Sequence, residues 1–454
     1  EKELKWKIRQ EGYLEELESV DIDLEDEERP SHCLSCLSGQ VEVILYMSAF
    51  AIIGSSARVY LGRIFGYDCE FPPPQEDYVS LFSTCVTSTG MTDQRGGALF
   101  IDLPANMLGS FFMGLVTPLY DDIPVLSWLK ADHRLQEYPT MHLSLRTALC
   151  GSLTTFASWN TQMIMMIVGR QGVLGPQVVQ ALFGYLIGVA CAVGSMQFGR
   201  HLGMILYKWR NGSSLSKSAA NAVVGATFGA SLDEDEESDT VDTNGFSTTN
   251  SNSFSPFRSE EPKSTNTESA AGLPCRIMDV IIHGKYSPLI FTALLLSLFL
   301  VGDFKMNSTF HKDMWICALF APPGTLLRWR LSLVNGKWGR DSELLKYFPF
   351  GTFFANILAC VISASVAATM YIIDRDSNAN SVNTTRTAIL MFLLKGLKSG
   401  FAGNLSTVST FAKEIVLLSE KRTVGPAYFY AFVTVFSCCL MSLAFYLPIS
   451  GDYS

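Results

Sequence analysis

Two polar stretches interrupt long apolar segments of the chain, and their residue types point to ion chemistry. The first is Gly151–Thr155 and the second is Gly403–Thr407. A membrane helix that breaks at such a stretch frees backbone carbonyls that can hold a cation and N–H groups that can meet an anion. A single Ser/Thr/Gly-rich stretch more often packs membrane helices together. Because two copies occupy matching positions, we favour broken helices.

Further polar and aromatic side chains lie in or beside these segments. Asn106 and Asn356 each offer two amide N–H donors to an anion, although an interhelical hydrogen bond is an equal alternative for each. Phe156, Trp159 and Phe411 stand next to the polar stretches. An aromatic ring edge is electropositive, so edge-on rings can line an anion path, although plain packing is the commoner role of one membrane aromatic.

Charged residues are rare near the apolar segments. Arg58 and Arg328 end two of them, and we expect both to be interface anchors that snorkel towards water, with a secondary role in attracting anions. Asp102 and Glu414 are acids near segment ends, and they do not occupy matching positions. A proton-coupled antiporter with two repeats would need a membrane-centred carboxylate in each, so these acids argue against that mechanism.

The composition is that of a membrane protein. Of the 454 residues, 48% are hydrophobic and 17% are charged, whereas soluble domains carry about 25% charged residues. The net charge of −9 comes largely from Glu15–Glu28 and Asp233–Asp242, which we interpret as solvated segments and not as nucleic-acid or substrate sites. The cysteines are scattered and predict no disulfide framework. No Walker A sequence or hydrolase constellation stands out, so we predict no enzyme.

The elements that must position these residues are membrane helices, each of which needs about 20 mostly apolar residues. The fifth candidate is short and carries no functional residue. The nine candidates are Val41–Gly62, Ala98–Leu119, Met141–Val168, Gly175–Phe198, Ser287–Val301, Met314–Leu333, Tyr347–Ile373, Thr387–Leu418 and Pro426–Leu447.

The candidate helices divide the chain into five parts. The sequence begins at Glu1 without a methionine, so we expect a trimmed form or a fragment. The predicted parts are an acidic, mostly disordered tail (1–40), a first four-helix unit (41–200), a disordered Ser/Thr/acidic linker (201–285), a single transmembrane helix (286–303) and a second four-helix unit (311–448).

The two four-helix units are copies of each other. Any one matching string is weak, but four in the same order predict an internal repeat. The four pairs are Gly54–Arg58 with Gly324–Arg328, Asn106–Phe111 with Gly351–Cys360, Cys150–Trp159 with Ala402–Phe411, and Gly175–Pro176 with Gly425–Pro426.

The odd fifth helix decides how the copies are oriented. Each unit has an even number of spans, so the single extra span inverts the second unit relative to the first. We therefore predict an all-α membrane fold of two inverted four-helix repeats with a broken third helix in each. Inverted repeats commonly place the binding site at the membrane midplane, on broken helices.

The loops predict the orientation of the chain. Lysines and arginines are more frequent in the loops that are internal when the N-terminus is cytoplasmic. The sequons Asn307–Thr309 and Asn383–Thr385 then lie outside, where glycosylation occurs. Both observations predict a cytoplasmic N-terminus.

These strings resemble those of the Fluc/CrcB fluoride channel family, and the fused double unit is similar to the eukaryotic fluoride exporters called FEX. The family pattern has Gly-x-x-x-Arg in its first helix, Gly-Thr-x-x-x-Asn-x-x-Gly-Ser in its second and Gly-Gly-x-Thr-Thr-Phe-Ser-Thr-Phe in its third. The resemblance covers Val41–Phe198 and Met314–Leu447. It implies a plasma-membrane channel that exports fluoride passively, with two pores between antiparallel units. This chain would then be a monomer that acts as an internal pseudo-dimer.

The resemblance also implies a structural sodium ion on the two-fold axis. Its backbone carbonyl ligands would be Gly151, Thr154, Gly403 and Ser406. The family has a threonine one helical turn before the pore asparagine. The second unit keeps it as Thr352, whereas the first unit has Asp102 there, and an acid at this position would repel fluoride. The implied ion pathway comprises Asn106, Asn356, Phe156, Phe411, Thr352, Tyr430, Thr434, Cys438, Thr155, Thr407 and Ser409.

The two implied pores are not equivalent. In the family, each pore combines the first phenylalanine of one unit with the second of the other. Here one pore has Phe156 with Phe411, whereas the other has Val408 with Trp159. The family's fourth helix carries a polar track at four-residue spacing. The second unit keeps this track as Tyr430, Thr434 and Cys438, with Ser442 one turn further on. We therefore predict one conducting pore and one vestigial pore. The alternatives are a proton-coupled anion antiporter and a structural or scramblase-like membrane protein that transports no ion selectively.

Overall fold

The computed structural model describes residues 33–66, 99–118, 124–129, 133–168, 175–211, 309–338, 345, 347–379, 384–420 and 424–450. The predicted fifth span (286–303) and most of the predicted tail and linker lie outside these residues. All regular elements of the described chain are helices, which agrees with the predicted all-α class.

The described residues of the first half form six α-helices. A proline in the first turn begins both the second and the third of them, where its missing N–H costs no hydrogen bond. The last helix continues beyond the predicted unit boundary at residue 200. The six are α1 (Cys33–Gly66), α2 (Leu103–Leu115), α3 (Pro139–Leu143), α4 (Gly151–Leu153), α5 (Phe156–Val168) and α6 (Gly175–Asn211).

In the second half, the part of the chain that the structure describes forms six corresponding helices in the same order. They are α7 (Thr309–Ser332), α8 (Phe350–Ala379), α9 (Thr384–Lys395), α10 (Gly403–Leu405), α11 (Ser409–Ser419) and α12 (Gly425–Ser450). The match confirms the internal repeat along the part of the chain that is described.

Four of the described helices, α1, α6, α8 and α12, are long and apolar enough to cross a membrane. Each carries large apolar side chains that are exposed among the residues that the structure describes, such as Phe432 and Phe436 on α12. The chain is therefore a multi-pass integral membrane protein. The prediction of nine spans stays a prediction.

The third membrane segment of each half is broken, as predicted. In the first half, α3 continues through a π-helical segment, Ser144–Cys150, into α4, and the chain turns extended at Thr154 before α5 begins. In the second half, α9 continues through the π-helical segment Gly396–Ala402 into α10, and the chain turns extended at Ser406 before α11. Residues 151–155 and 403–408, which contain these turns to extended backbone, are called the two breaks below.

Glycine brings the first helix of each half into contact with a broken helix. A Cβ added at Gly54 of α1 would lie 2.6 Å from the Leu149 carbonyl oxygen, and one added at Gly324 of α7 would lie 2.4 Å from the Phe401 carbonyl oxygen. Real Cβ atoms do not approach backbone oxygens so closely. The glycine of the repeated Gly-x-x-x-Arg string therefore sets the distance between these helices.

We expect Gly54→Ala and Gly324→Ala each to destabilise the protein by about 1–3 kcal/mol, because the added methyl group must push a helix backbone away. Gly194→Ala on α6 is the matched control, since nothing lies within 4 Å of its Cβ position, and it should be neutral or mildly stabilising. Thermal melting of the purified protein in detergent measures the difference. Equal melting of Gly54→Ala and Gly194→Ala would contradict this packing.

Candidate functional site

The break of the first half caps a helix of the second half. The N–H groups at the start of α11 have no partner within that helix, as at every helix N-terminus. The Thr154 hydroxyl oxygen accepts two of them, from Val408 at 3.2 Å and from Ser409 at 3.1 Å. A residue of one repeat thus performs the N-cap function for the other.

The reciprocal contact is made by the break of the second half. The Ser406 hydroxyl oxygen accepts the backbone N–H groups of Phe156 and Ala157, both at 3.0 Å, at the start of α5. Ser406 corresponds to Thr154 in the repeat, so the two capping contacts form a symmetric pair. All of these groups are buried. Each half therefore accepts hydrogen bonds from backbone N–H groups that have no acceptor among the described residues of their own half.

The two predicted pore asparagines lie beside these breaks. Asn106 donates an amide N–H to the Thr155 carbonyl oxygen at 3.1 Å and accepts the Thr155 backbone N–H at 2.8 Å. Asn356 makes the same pair of contacts with Thr407, at 3.2 Å and 2.8 Å. One of the two amide N–H groups of each asparagine is thus used in the interhelical hydrogen bond that was the alternative to anion binding.

The structure brings one predicted aromatic pair together. The rings of Phe156 and Phe411 meet edge to face, with centroids 5.5 Å apart and an interplanar angle of 84°. Phe411 also contacts Tyr430 on α12, at a centroid distance of 5.3 Å. The electropositive edge of one ring thus faces the other, beside the polar residues of α12.

Trp159 of the other predicted pair also contacts Phe156, with ring centroids 5.0 Å apart. Its ring stacks on Phe100 with centroids 5.2 Å apart and is fully buried. A Cβ at Gly188 of α6 would lie 2.2 Å from the Trp159 ring, so the indole fills the groove that this glycine leaves open. Val408, its predicted pore partner, is also fully buried.

Buried polar side chains continue along α12 from the aromatic pair. At one end the Tyr430 hydroxyl donates to Glu414 at 2.6 Å, and the Thr352 hydroxyl donates to the other oxygen of the same carboxylate at 2.6 Å. Thr434 and Cys438 follow at intervals of one helical turn and are fully buried. These residues form a continuous polar track with Glu414 at its beginning.

The other end of the polar track is completed by the first half. Asn160 on α5 donates to the Ser442 hydroxyl at 2.6 Å, and its amide oxygen accepts the Tyr185 hydroxyl at 2.7 Å. The sequence reasoning missed Asn160 and discounted Glu414. Helical spacing was the available signal, because Asn160 lies one turn after Phe156 and Glu414 lies one turn after Phe411.

The expectation that Arg58 and Arg328 snorkel to the membrane interface is wrong. Each side chain is only 3% exposed, and each guanidinium donates to backbone carbonyls at the two breaks. Arg58 bonds Gly403 at 2.8 Å, Ser399 at 2.6 Å and Thr154 at 3.4 Å. The backbone carbonyls at the breaks lie within hydrogen-bond distance of the guanidinium group. Each arginine is therefore satisfied inside the protein and does not extend past the lipid to water.

Arg328 makes the corresponding contacts from α7. Its Nη1 lies 2.9 Å from the Gly151 carbonyl oxygen, 2.6 Å from that of Asn404 and 2.9 Å from that of Ser406. Its Nη2 donates to the Thr147 carbonyl. Each arginine thus contacts the breaks of both halves.

The carbonyl oxygens expected to hold sodium therefore already have donors. Gly151 and Ser406 accept N–H groups of Arg328, and Gly403 and Thr154 accept those of Arg58. A cation bound to the same oxygens would share them with a guanidinium group, and two unit charges about 4 Å apart repel by about 4 kcal/mol at an effective dielectric constant of 20. As arranged, these residues do not fit a resident sodium ion, and sodium binding stays a prediction.

We expect Ser406→Ala and Thr154→Val each to lower stability by about 1–3 kcal/mol, because two buried backbone N–H groups lose their acceptor. Ser48→Ala is the control, since the Ser48 hydroxyl bonds only the Ile44 carbonyl of its own helix among the contacts described. Melting in detergent reports the change. If Ser406→Ala had the same melting temperature as Ser48→Ala, capping between the halves would be refuted.

Comparison with known proteins identifies several relatives. Fluoride export protein 1 of Candida albicans is 33% identical over 140 residues, which cover 31% of this chain and 32% of that protein. In that alignment the chain thus spans about a third of the relative's length. Fluoride-specific ion channel FluC of Chromobacterium violaceum is 29% identical over 114 residues, which cover 23% of this chain and 80% of that protein.

The alignment with Fluoride export protein 1 of Saccharomyces cerevisiae is longer. It has 22% identity over 358 residues and covers 75% of this chain and 83% of that protein. No solved structure matches the chain. One family model, described as CrcB-like protein, Camphor Resistance (CrcB), matches twice, at residues 45–196 and 315–446. Because these two matches cover more than half of the chain, one in each half, the protein belongs to the CrcB-like family.

Proposed function

We propose that the protein is a fluoride-selective channel that lets fluoride leave the cytoplasm passively. The observation that carries the proposal is the buried polar track beside the Phe156–Phe411 pair, which residues of both halves complete. The names of the three relatives supply the ion. Two of them are called fluoride export proteins and the third a fluoride-specific ion channel.

The track suits a small, strongly hydrated anion. Such an ion enters a narrow pore only where donors replace the water molecules that it loses. Thr434 and Ser442 bring buried hydroxyl groups to the track, and the second amide N–H of Asn356 adds a donor near the break. The N-terminal ends of α5 and α11, which carry partial positive charge, lie at the two breaks.

The membrane potential supplies the driving force. With a negative cytoplasm, the exit of a monovalent anion is favoured by about 2.3 kcal/mol per 100 mV. A weak acid that enters from an acidic exterior dissociates inside and traps its anion there. Export then requires a channel and no pump, and we expect the plasma membrane as its site.

We also propose that the two repeats are inverted relative to each other, so that one chain acts as a pseudo-dimer. The Arg200–Glu420 ion pair supports this topology, because it joins the C-terminal half of α6 to the residue that follows the C-terminal end of α11. Helix α6 is the fourth membrane segment of the first unit, and α11 is the last part of the third membrane segment of the second unit. Since consecutive segments alternate in direction, their C-terminal ends meet on one side only when one unit is inverted. A cytoplasmic N-terminus then places this ion pair inside the cell.

A single conducting pore accounts for the difference between the two halves. Phe411 faces Tyr430 and the hydroxyl-bearing track of α12. At the corresponding place, Trp159 fills the groove at Gly188, and α6 there has glycines where α12 has Thr434 and Cys438. We infer that the Phe156–Phe411 side conducts and that the Trp159–Val408 side is vestigial.

A proton-coupled anion antiporter is the second candidate, and Glu414 is the observation that favours it. This carboxylate accepts hydroxyl groups of Thr352 and Tyr430 within the track, which is where a proton carrier would lie. The corresponding position in the first half is Gln162, so only one repeat has a carboxylate there. A structural or scramblase-like protein remains the non-transporting alternative.

Liposomes that contain the purified protein test the function. We expect rapid fluoride efflux driven by an imposed potential, far faster than chloride efflux, because chloride is larger and the track is closely packed. Empty liposomes are the control. Efflux coupled to proton movement in a fixed ratio would favour the antiporter, and equal chloride leakage or immobile fluoride would overturn the channel.

Substitutions of single aromatic residues test which side conducts. Phe411→Ile should reduce fluoride efflux by about tenfold or more, a change in barrier of at least 1.4 kcal/mol, and should abolish fluoride resistance in cells that depend on this protein. Trp159→Ile should have a mild effect, because it alters the side that we infer to be closed. Phe432→Ile is the matched control, since Phe432 is 68% exposed on the outer face of α12. Equal losses from Phe411→Ile and Trp159→Ile would show that the inference of one pore is wrong.

A further inference from the structure

We propose that Arg58 and Arg328, called the arginine pair below, take the place of a bound cation at the two breaks, so that the fold does not depend on sodium. The inference goes beyond the proposed function and stands whichever ion the protein carries. It assigns both arginines a positioning role, because they act on the helix breaks and not on the transported ion.

The first observation is the set of oxygens that the arginine pair contacts. The carbonyl groups of Gly151, Thr154, Gly403 and Ser406 converge at the centre of the protein, and every one of them accepts a guanidinium N–H. Three carbonyl oxygens surround Nη1 of Arg328 within 2.9 Å. Such a ring of backbone oxygens attracts positive charge, and here a fixed side chain provides it.

The second observation is that the sequence makes room for guanidinium groups. A Cβ at Gly151 would lie 2.3 Å from Nη2 of Arg328, and a Cβ at Gly403 would lie 2.7 Å from Nη2 of Arg58. Only glycine at these positions lets a planar guanidinium lie against the backbone. The glycine of each break and the arginine of the opposite half therefore form a matched pair.

The third observation concerns the direction of the helices that end at the breaks. The segments that finish with α4 and α10 point their C-terminal carbonyl ends towards the arginine pair, and such ends carry partial negative charge. The same carbonyls have no partner within their own helices. Because both arginines are only 3% exposed, they cannot leave these carbonyls for water without a rearrangement of the helices.

The consequence is that each half holds the break of the other by a covalently attached charge. Arg58 belongs to the first half and bonds Ser399 and Gly403 of the second, whereas Arg328 belongs to the second half and bonds Thr147 and Gly151 of the first. A bound ion depends on its concentration in the medium, but the arginine pair does not. The geometry of the breaks should therefore be the same with and without sodium.

Thermal melting of the full-length chain in detergent tests this inference without any measurement of transport. The two media are sodium chloride and N-methyl-D-glucamine chloride at equal ionic strength. We expect the wild-type melting temperature to be the same in both. A resident sodium ion at about 100 times its Kd would raise the melting temperature of a chain of this length by roughly 3 °C, judged from the linkage relation and the usual entropy of unfolding per residue. Such a sodium-dependent shift in the wild type would overturn the proposal.

Removal of one arginine should create the dependence that the wild type lacks. Arg328→Met frees the Gly151, Asn404 and Ser406 carbonyls, so the variant should melt lower in N-methyl-D-glucamine and recover a large part of the loss in sodium. Arg330→Met is the matched control, because Arg330 is exposed on the same helix, and it should melt alike in both media. An Arg328→Met protein that is insensitive to sodium would contradict the proposal. If that variant cannot be purified, the wild-type comparison alone decides, and a failure of fluoride efflux bears only on the proposed function.

Discussion

The structure depends on one constraint, which is that irregular backbone inside a membrane must find its hydrogen-bond partners within the protein. Two helix breaks at the centre leave carbonyls and N–H groups that neither half satisfies alone. Thr154 and Ser406 accept the N–H groups of the opposite half, and Arg58 and Arg328 donate to its carbonyls. The pairing of the halves is thus a requirement of the breaks and not an independent event of packing.

Symmetry is kept where this constraint acts and lost where it does not. The Asn106–Thr155 and Asn356–Thr407 contacts have nearly the same distances, because both satisfy the backbone at a break. One turn further along, Phe411 and Trp159 satisfy no backbone group, and their surroundings differ. The two sides are therefore free to diverge beyond the breaks.

The sequence was informative about features that depend on spacing within one segment. The repeat and the two broken helices were predictable, because matching strings occur in the same order in both halves, whereas the Phe156–Phe411 pair was implied by the family resemblance. The burial of Arg58 was not predictable, because its partners lie in the other half of the chain. For the same reason Asn160 was missed, since its role rests on Ser442, which is distant in sequence.

Each break separates its two kinds of backbone group by charge. The carbonyl ends of α4 and α10 turn towards the arginine pair, whereas the N–H ends of α5 and α11 turn towards the hydroxyl caps of Thr154 and Ser406. A cationic side chain therefore satisfies the negative ends, and the partly positive ends stay next to the polar track. A break whose two ends were both satisfied by neutral side chains would show no such separation of charge. The arginine pair therefore acts on the carbonyl ends of the breaks and not on the track itself.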